Sequence, residues 1–272
     1  GGGLYSEHAI HLLKSKFTNN SATEGGAVYA DSLTLVNCLV ANNSATSGKG
    51  GGVYAGNGSK LVSNTITSNL ATSDGGGVYL YNSGSLHNIL TNNVLWGNKV
   101  NNTRNQLSYP ATDTTYFTYN AIQSFNTLSA SKHNVNLDTL NHGHTFGKLY
   151  PFFENINNGI VGKTTTNGVW QLSIGSACVD KGTTSTAVTL PPLDLNELPR
   201  VSAGSIDIGA YENKMENFNY EIIYVTTTGA GYLTGESWNN AMNDIDMAAY
   251  IASKLIDTNT GRHPKVWVAV GN

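Results

Sequence analysis

Charge is scarce in this chain. Only 12% of the 272 residues are Asp, Glu, Lys or Arg, against a usual share of about 25%. The net charge is −3 and no basic run occurs, so the electrostatic footprint of a nucleic-acid or anionic-membrane binder is missing. Cysteine is nearly absent too. Cys38 and Cys178 stand 140 residues apart and read as two buried free thiols rather than a disulfide framework. No apolar stretch approaches the roughly 20 residues that span a bilayer as a helix. No leader is seen, but the chain begins in mid-repeat and reads as a processed piece of a longer protein.

Asparagine and glycine are what the chain has in abundance, 34 and 30 residues. They recur in order. GGAVYA at Gly25–Ala30 returns as GGGVYA at Gly50–Ala55 and GGGVYL at Gly75–Leu80, with a clipped GGGLY at Gly1–Tyr5. Tyr5, Tyr29, Tyr54 and Tyr79 therefore follow one another at 24, 25 and 25 residues. Self-similarity at such a period marks a stacked repeat. A second phrase keeps step, an apolar residue three before an Asn: Phe17/Asn20, Leu39/Asn42, Ile66/Asn69 and Leu90/Asn93. Asn37, Asn64 and Asn88 form a further set upstream.

The runs between these corners, such as Ala27–Ala30 and Leu33–Leu39, are too short for helices and rich in Val, Thr and Tyr. Helical repeats of about 34 residues and propeller blades of about 40 do not fit the period. Leucine-rich repeats fit it, but their spaced leucines are missing. The expected fold is all-β, a right-handed parallel β-helix in which each strand pairs with its counterpart one coil along. Alternation then puts Val28, Val53 and Val78 inside and the tyrosines outside. Paired glycines allow corners with positive φ, and Asn at equivalent corners can stack into an amide ladder. Leu39 is expected between coils, where Leu39→Asp would bury an unpaired charge.

With GGAVYA and FTNN (Phe17–Asn20) in view, the repeats resemble those of polymorphic outer-membrane proteins and related bacterial surface β-helices. NNVLWGN (Asn92–Asn98), SACVDKGT (Ser176–Thr183), LDLNELPR (Leu193–Arg200) and SIDIGAYE (Ser205–Glu212) resemble the secreted pectin-lyase-like proteins that end in a choice-of-anchor segment. These resemblances imply an extracellular or cell-surface location.

Three stretches are expected. Residues 1–150 hold the coils, including strands at Ala9–Lys16, Tyr116–Gln123 and His133–Leu137. Residues 151–220 form a terminal β section with strands at Val169–Leu172 and Ile206–Tyr211. Residues 221–272 form a small strand–helix–strand segment. Its helix, Asp244–Ile256, would bury Ile245, Ala248, Ala249, Ala252 and Ile256. The resemblance implies that such a segment begins a β-helix, so here it either opens a following module of the same parent or caps this one.

Candidate sites are few. Tyr5, Tyr29, Tyr54 and Tyr79 form an outer aromatic ladder that either holds sugar rings or packs on itself. Asp180, Asp194, Asp207 and Glu212 either bind Ca²⁺, the one cofactor considered, or make turns and an ion pair with Arg200. His142 and His144 lack a third metal ligand nearby. A polysaccharide lyase needs Arg or Lys beside acidic Ca²⁺ ligands on successive coils, and a hydrolase needs opposed carboxylates about 5–10 Å apart. Residues 17–98 offer only Glu24, Asp31 and Asp74, and no Arg. The reading is a non-catalytic stalk or adhesin module that meets glycans or neighbouring cells. The alternative is a pectin-lyase-like lyase or glycoside hydrolase.

Overall fold

The computed structural model describes residues 1–82, 86–110, 115–124, 132–137, 170–172, 176–201, 204–213, 221–230, 235, 237–242, 245–256 and 261–269. The chain falls into two units, residues 1–138 with 177–212, and residues 139–176 with 213–272.

The first unit is a three-sided parallel β-helix. One sheet stacks Leu4–Leu13, Val28–Val36, Val53–Gly56 with Lys60–Val62, Val78–Tyr81 with Ile89–Thr91, and Leu107–Ser108 with Tyr116–Thr118. A second stacks Lys16–Thr18, Leu39–Ala41, Thr65–Thr67, Val94–Trp96, Ala121–Gln123 and Val135–Leu137. The third stacks Ser21–Ala22, Ser44–Ala45, Leu70–Ala71 and Lys99–Val100. Four rungs thus have all three sides. The pairings between rungs are parallel. An antiparallel turn of Lys99–Val100 against Thr103–Arg104 then closes the third side.

The corners follow from backbone sterics. Non-glycine residues rarely take a positive φ, and Asn does so more readily than most. The corner from first to second sheet holds Lys14, Asn37, Ser63, Asn92 and Tyr119 at φ between 46° and 58°. The next corner holds Asn19, Asn42, Ser68, Gly97 and Ser124, also at positive φ. The corner back to the first sheet is the opening glycine of each GG pair, Gly25, Gly50 and Gly75. The second glycine answers to space: a Cβ on Gly51 would lie 2.2 Å from the Gly76 carbonyl oxygen.

The residue after each left-handed corner points inward. Asn20, Asn43, Asn69 and Asn98 form one amide column. Each Oδ1 accepts both the backbone N–H and the Nδ2 of the rung before, at 2.9–3.0 Å from Asn20 to Asn98. Asn64, Asn93, Asn120 and Asn134 form a second column, with Cys38 at its head. The ladder is as expected, but its phase is not. The apolar column is Phe17, Val40, Ile66, Leu95 and Ile122, so Leu39/Asn42 and Leu90/Asn93 are one residue or one side out of step. Asn37 shares its column with Ser63 and Asn92, not with Asn64 and Asn88. At Asn19–Asn20, Asn42–Asn43 and Asn92–Asn93 the first asparagine turns the chain and the second fills the ladder.

Val28, Val53, Val78, Leu35, Leu61, Leu90, Val40, Ile66 and Leu95 are fully buried in one core, each adding about 1.5–3 kcal/mol. Leu39 faces outward on the second sheet. It is buried all the same, because residues 193–201 and 204–211 lie across that face as a strap. The Gly209 N–H donates to the Asn92 carbonyl at 2.8 Å and the Ala210 N–H to Thr65 Oγ1 at 3.1 Å. The Asn37 amide donates to the Ala210 carbonyl (2.9 Å) and accepts from the Leu195 N–H (3.2 Å). Ile206–Tyr211, expected as a strand, thus crosses the rungs instead of adding one. Tyr116–Gln123 is two strands, because Tyr119 is itself a corner (φ 55°).

In the second unit Ile222–Val225 pairs in parallel with Lys265–Val268. The helix Ile245–Lys254 packs Ala248, Ile251 and Leu255 on Ile223, Val225 and Met242. Ile245 and Ile256, expected on the buried face, are 51% and 48% exposed. The stripe at 248, 251, 252 and 255 satisfies the same 3.6-residue period. Asp244 and the expected strand residue Val169 lie outside the described residues.

Candidate functional site

The outer face of the first sheet carries the tyrosines in register, Tyr5 on Tyr29, Tyr29 on Tyr54 and Tyr54 on Tyr79. Ring centroids are 5.0, 4.7 and 5.1 Å apart, with interplanar angles of 21°, 8° and 31°. Each inner ring therefore spends both faces on its neighbours. A sugar approaching Tyr29 or Tyr54 meets ring edges and hydroxyls, not an open face.

Two positions past each ladder tyrosine the pleat returns to the same face. That places Glu7, Asp31, Gly56 and Tyr81 beside Tyr5, Tyr29, Tyr54 and Tyr79. The Tyr5 hydroxyl donates to Glu7 Oε1 at 2.8 Å. Tyr81 lies along the helix axis, over the bare Gly56: a Cβ there would meet the Tyr81 ring at 2.8 Å. Its hydroxyl so reaches Asp31 Oδ1, two rungs away, at 2.6 Å. Its ring sits 5.3 Å from that of Tyr54, tilted by 43°. Lys49 Nζ donates to the Tyr79 hydroxyl at 2.9 Å and lies 4.3 Å from its ring centroid. Burial pushes the Tyr54 phenol up to about 12, and burial with the Asp31 bond pushes that of Tyr81 up as well. Asp31, Tyr81 and Lys49 escaped attention in the repeat pattern because they break it. The period-2 step from Tyr29 and Tyr79 was the available signal for the first two.

Three of the four acidic candidates, Asp194, Asp207 and Glu212, come together around Arg200, while Asp180 is exposed and meets them only through its backbone N–H. Arg200 is fully buried and its Nη1 lies 2.7 Å from Glu212 Oε1. Glu212 Oε2 accepts the Asp207 N–H at 2.9 Å, and Asp194 Oδ2 accepts the Glu212 N–H at 2.7 Å. Asp194 Oδ1 accepts from the N–H groups of Asn196 and Leu198, and Asp207 Oδ1 from that of Asp180. Burial raises the Glu212 carboxyl and lowers the Arg200 guanidinium, while their contact opposes both shifts. The carboxylates thus hold backbone N–H groups and a guanidinium. Among the described residues no three His, Cys, Asp or Glu side chains are grouped to hold a metal ion. Beside this cluster, with Arg200 in its wall, an open groove of about 630 Å³ runs between Thr186, Val188, Pro191 and Val201. His142 and His144 lie outside the described residues. Cys38 and Cys178 are both buried thiols, not joined in a disulfide.

Among the described residues no helix is long and apolar enough to cross a membrane. No curated protein and no solved structure matches the chain. Residues 14–31 match the family model of the Chlamydia polymorphic membrane protein repeat. That span runs from the first corner through the Asn20 rung to Asp31, one coil junction of the β-helix.

Proposed function

We propose that this chain is a non-catalytic β-helix module of a bacterial surface or secreted protein, working as a stalk or adhesin. The observation that carries the reading is the coincidence of the matched repeat with one coil junction, the unit from which the β-helix is repeated. Residues 14–31 supply a corner, an amide rung, a GG corner and a ladder tyrosine. The next two coils reuse the same parts, with corners at Asn37 and Ser63, amide rungs at Asn43 and Asn69, glycine corners at Gly50 and Gly75 and ladder tyrosines at Tyr54 and Tyr79. Such a unit propagates length and surface rather than assembling unlike groups around a reacting atom. Glycan contact, on this reading, falls to the hydroxyl row of the tyrosine ladder. The resemblance of the tail motifs to pectin-lyase-like anchored proteins supports reading the strap as the end of one module, with residues 221–272 opening the next or capping this one.

The test has two arms on the same purified chain. One reads binding to plant, host and bacterial polysaccharides and to cultured cells. The other reads unsaturated products and new reducing ends, with and without Ca²⁺. Binding without product supports the adhesin role, and Tyr54→Ala then asks whether the ladder is responsible. Product in the second arm overturns the reading and favours the lyase or hydrolase.

A further inference from the structure

The tyrosine ladder has a chemistry that packing alone does not require. A phenol loses an electron readily only if its proton has somewhere to go at the same moment. Tyr81 has such a place, because its hydroxyl donates to Asp31 Oδ1 at 2.6 Å. Its ring also has a partner, Tyr54, at 5.3 Å between centroids and tilted by 43°, so that one edge leans toward the other ring. The neighbouring alternative is disfavoured. Tyr79 carries the Lys49 ammonium 4.3 Å from its centroid and bonded to its hydroxyl, and a positive charge there opposes loss of an electron. Tyr29 and Tyr54 have no comparable cation, and Gly56 leaves the space in which the Tyr81 ring lies.

We infer that Tyr81 and Tyr54 are an oxidative cross-linking site, at which a one-electron oxidant of the peroxidase or metal-polypyridyl class joins two coils through a dityrosine bond. In the first step Tyr81 gives one electron to the oxidant and its hydroxyl proton to Asp31, leaving a neutral tyrosyl radical. In the second Tyr54 gives one electron to a second oxidant equivalent and its proton to water. The two radicals couple between ring carbons ortho to oxygen. The two displaced ring hydrogens move to the oxygens and restore both phenols. The sum is one new C–C bond, two electrons to the oxidant and two protons released, the first through Asp31. The product ties the coil of Val53–Gly56 to that of Val78–Tyr81 covalently.

The experiment is photo-oxidation of the dilute full-length chain with a ruthenium tris-bipyridyl sensitiser and persulfate. Dityrosine fluorescence is followed in time, and the product is digested with trypsin. The expected product is a cross-linked pair of Gly50–Lys60 with Leu61–Lys99, fragmentation placing the bond at Tyr54 and Tyr81. Asp31→Asn, which keeps the shape and removes the proton acceptor, slows the reaction several-fold while circular dichroism stays that of the parent. Tyr81→Phe removes the pair. Cross-links scattered over the 14 tyrosines, or an Asp31→Asn chain that is folded and reacts at the parent rate, overturn the inference. Should Asp31→Asn fail to fold, Tyr81→Phe serves instead: it leaves every other tyrosine in place, and dityrosine fluorescence at the parent yield overturns the inference equally.

Discussion

Cys38 stands where every later rung of its column has Asn. Its Sγ takes the Ser15 N–H at 3.4 Å and lies 3.2 Å from the Val36 carbonyl. These are the same kinds of partner that the Oδ1 and Nδ2 of Asn64 and Asn93 use. Cysteine and asparagine have nearly the same volume, so Cys38→Asn extends the ladder by one rung. It is expected to stabilise the chain by about 1 kcal/mol, read as a higher urea midpoint at unchanged slope. An unchanged or lower midpoint would show that the column needs its apolar head. Burial holds the Cys38 thiol at about 12, so the parent chain should resist alkylation until unfolded.

At the scale of the strand and the corner, the amide columns answer for stability. Asn93 accepts two hydrogen bonds from Asn64 and donates to the Leu61 and Thr91 carbonyls. Asn93→Ala leaves buried groups unpaired on two sides and should cost about 3 kcal/mol or more. Asn134→Ala, at the column's end, should cost less, and equal losses would contradict the ladder's role. The tyrosine column gives a pH signature. A phenol whose folded value exceeds its unfolded value of 10.0 holds its proton more tightly when folded. Its contribution to stability is complete below pH 10 and is lost as pH climbs toward about 12 for Tyr54. Tyrosinate absorbance should therefore rise late and together with loss of the β signal, and Tyr54→Phe should shift that loss to higher pH.

The architecture was legible at this same scale. Period, short β-rich runs and GG pairs led to the coil, to buried valines and to stacked tyrosines. Phase was harder to read. Asn42 and Asn43 are chemically identical in the sequence, yet one takes φ 58° and the other fills the core. Only the register against Phe17 and Ile66 separates them. Long-range partners were illegible for a different reason. Nothing local in Asp31 points to Tyr81, 50 residues on, or in Thr65 to Ala210, 145 residues on.

For the β-helix as a whole, those distant contacts set the order of events. The complete rungs close over 23 to 29 residues, whereas strap contacts reach over 145 from Thr65 to Ala210 and 183 from Lys14 to Glu197. Non-local closure carries more loop entropy and comes later. Refolding should show coil formation first and strap docking as a separate, slower phase. The Arg200–Glu212 pair locks that strap. Arg200→Met leaves Glu212 buried without its partner and should cost about 3–5 kcal/mol. Adding Glu212→Gln should recover most of that loss, and an uncoupled pair of effects would show that the ion pair is not the lock.

The turn at Lys99–Arg104 carries one more consequence. The Asn20–Asn98 column passes from Asn69 to Asn98 over 29 residues, then from Asn98 to Gln106 over 8, with the same pair of bonds each time. An amide rung therefore sets no length for the chain between one step and the next. Ala45 and Ala71 tie the third-side strands to the core, but the turn at Asn101–Arg104 is exposed. That turn is where such a protein can change length, or accept a grafted epitope, while the column beneath it stays in register.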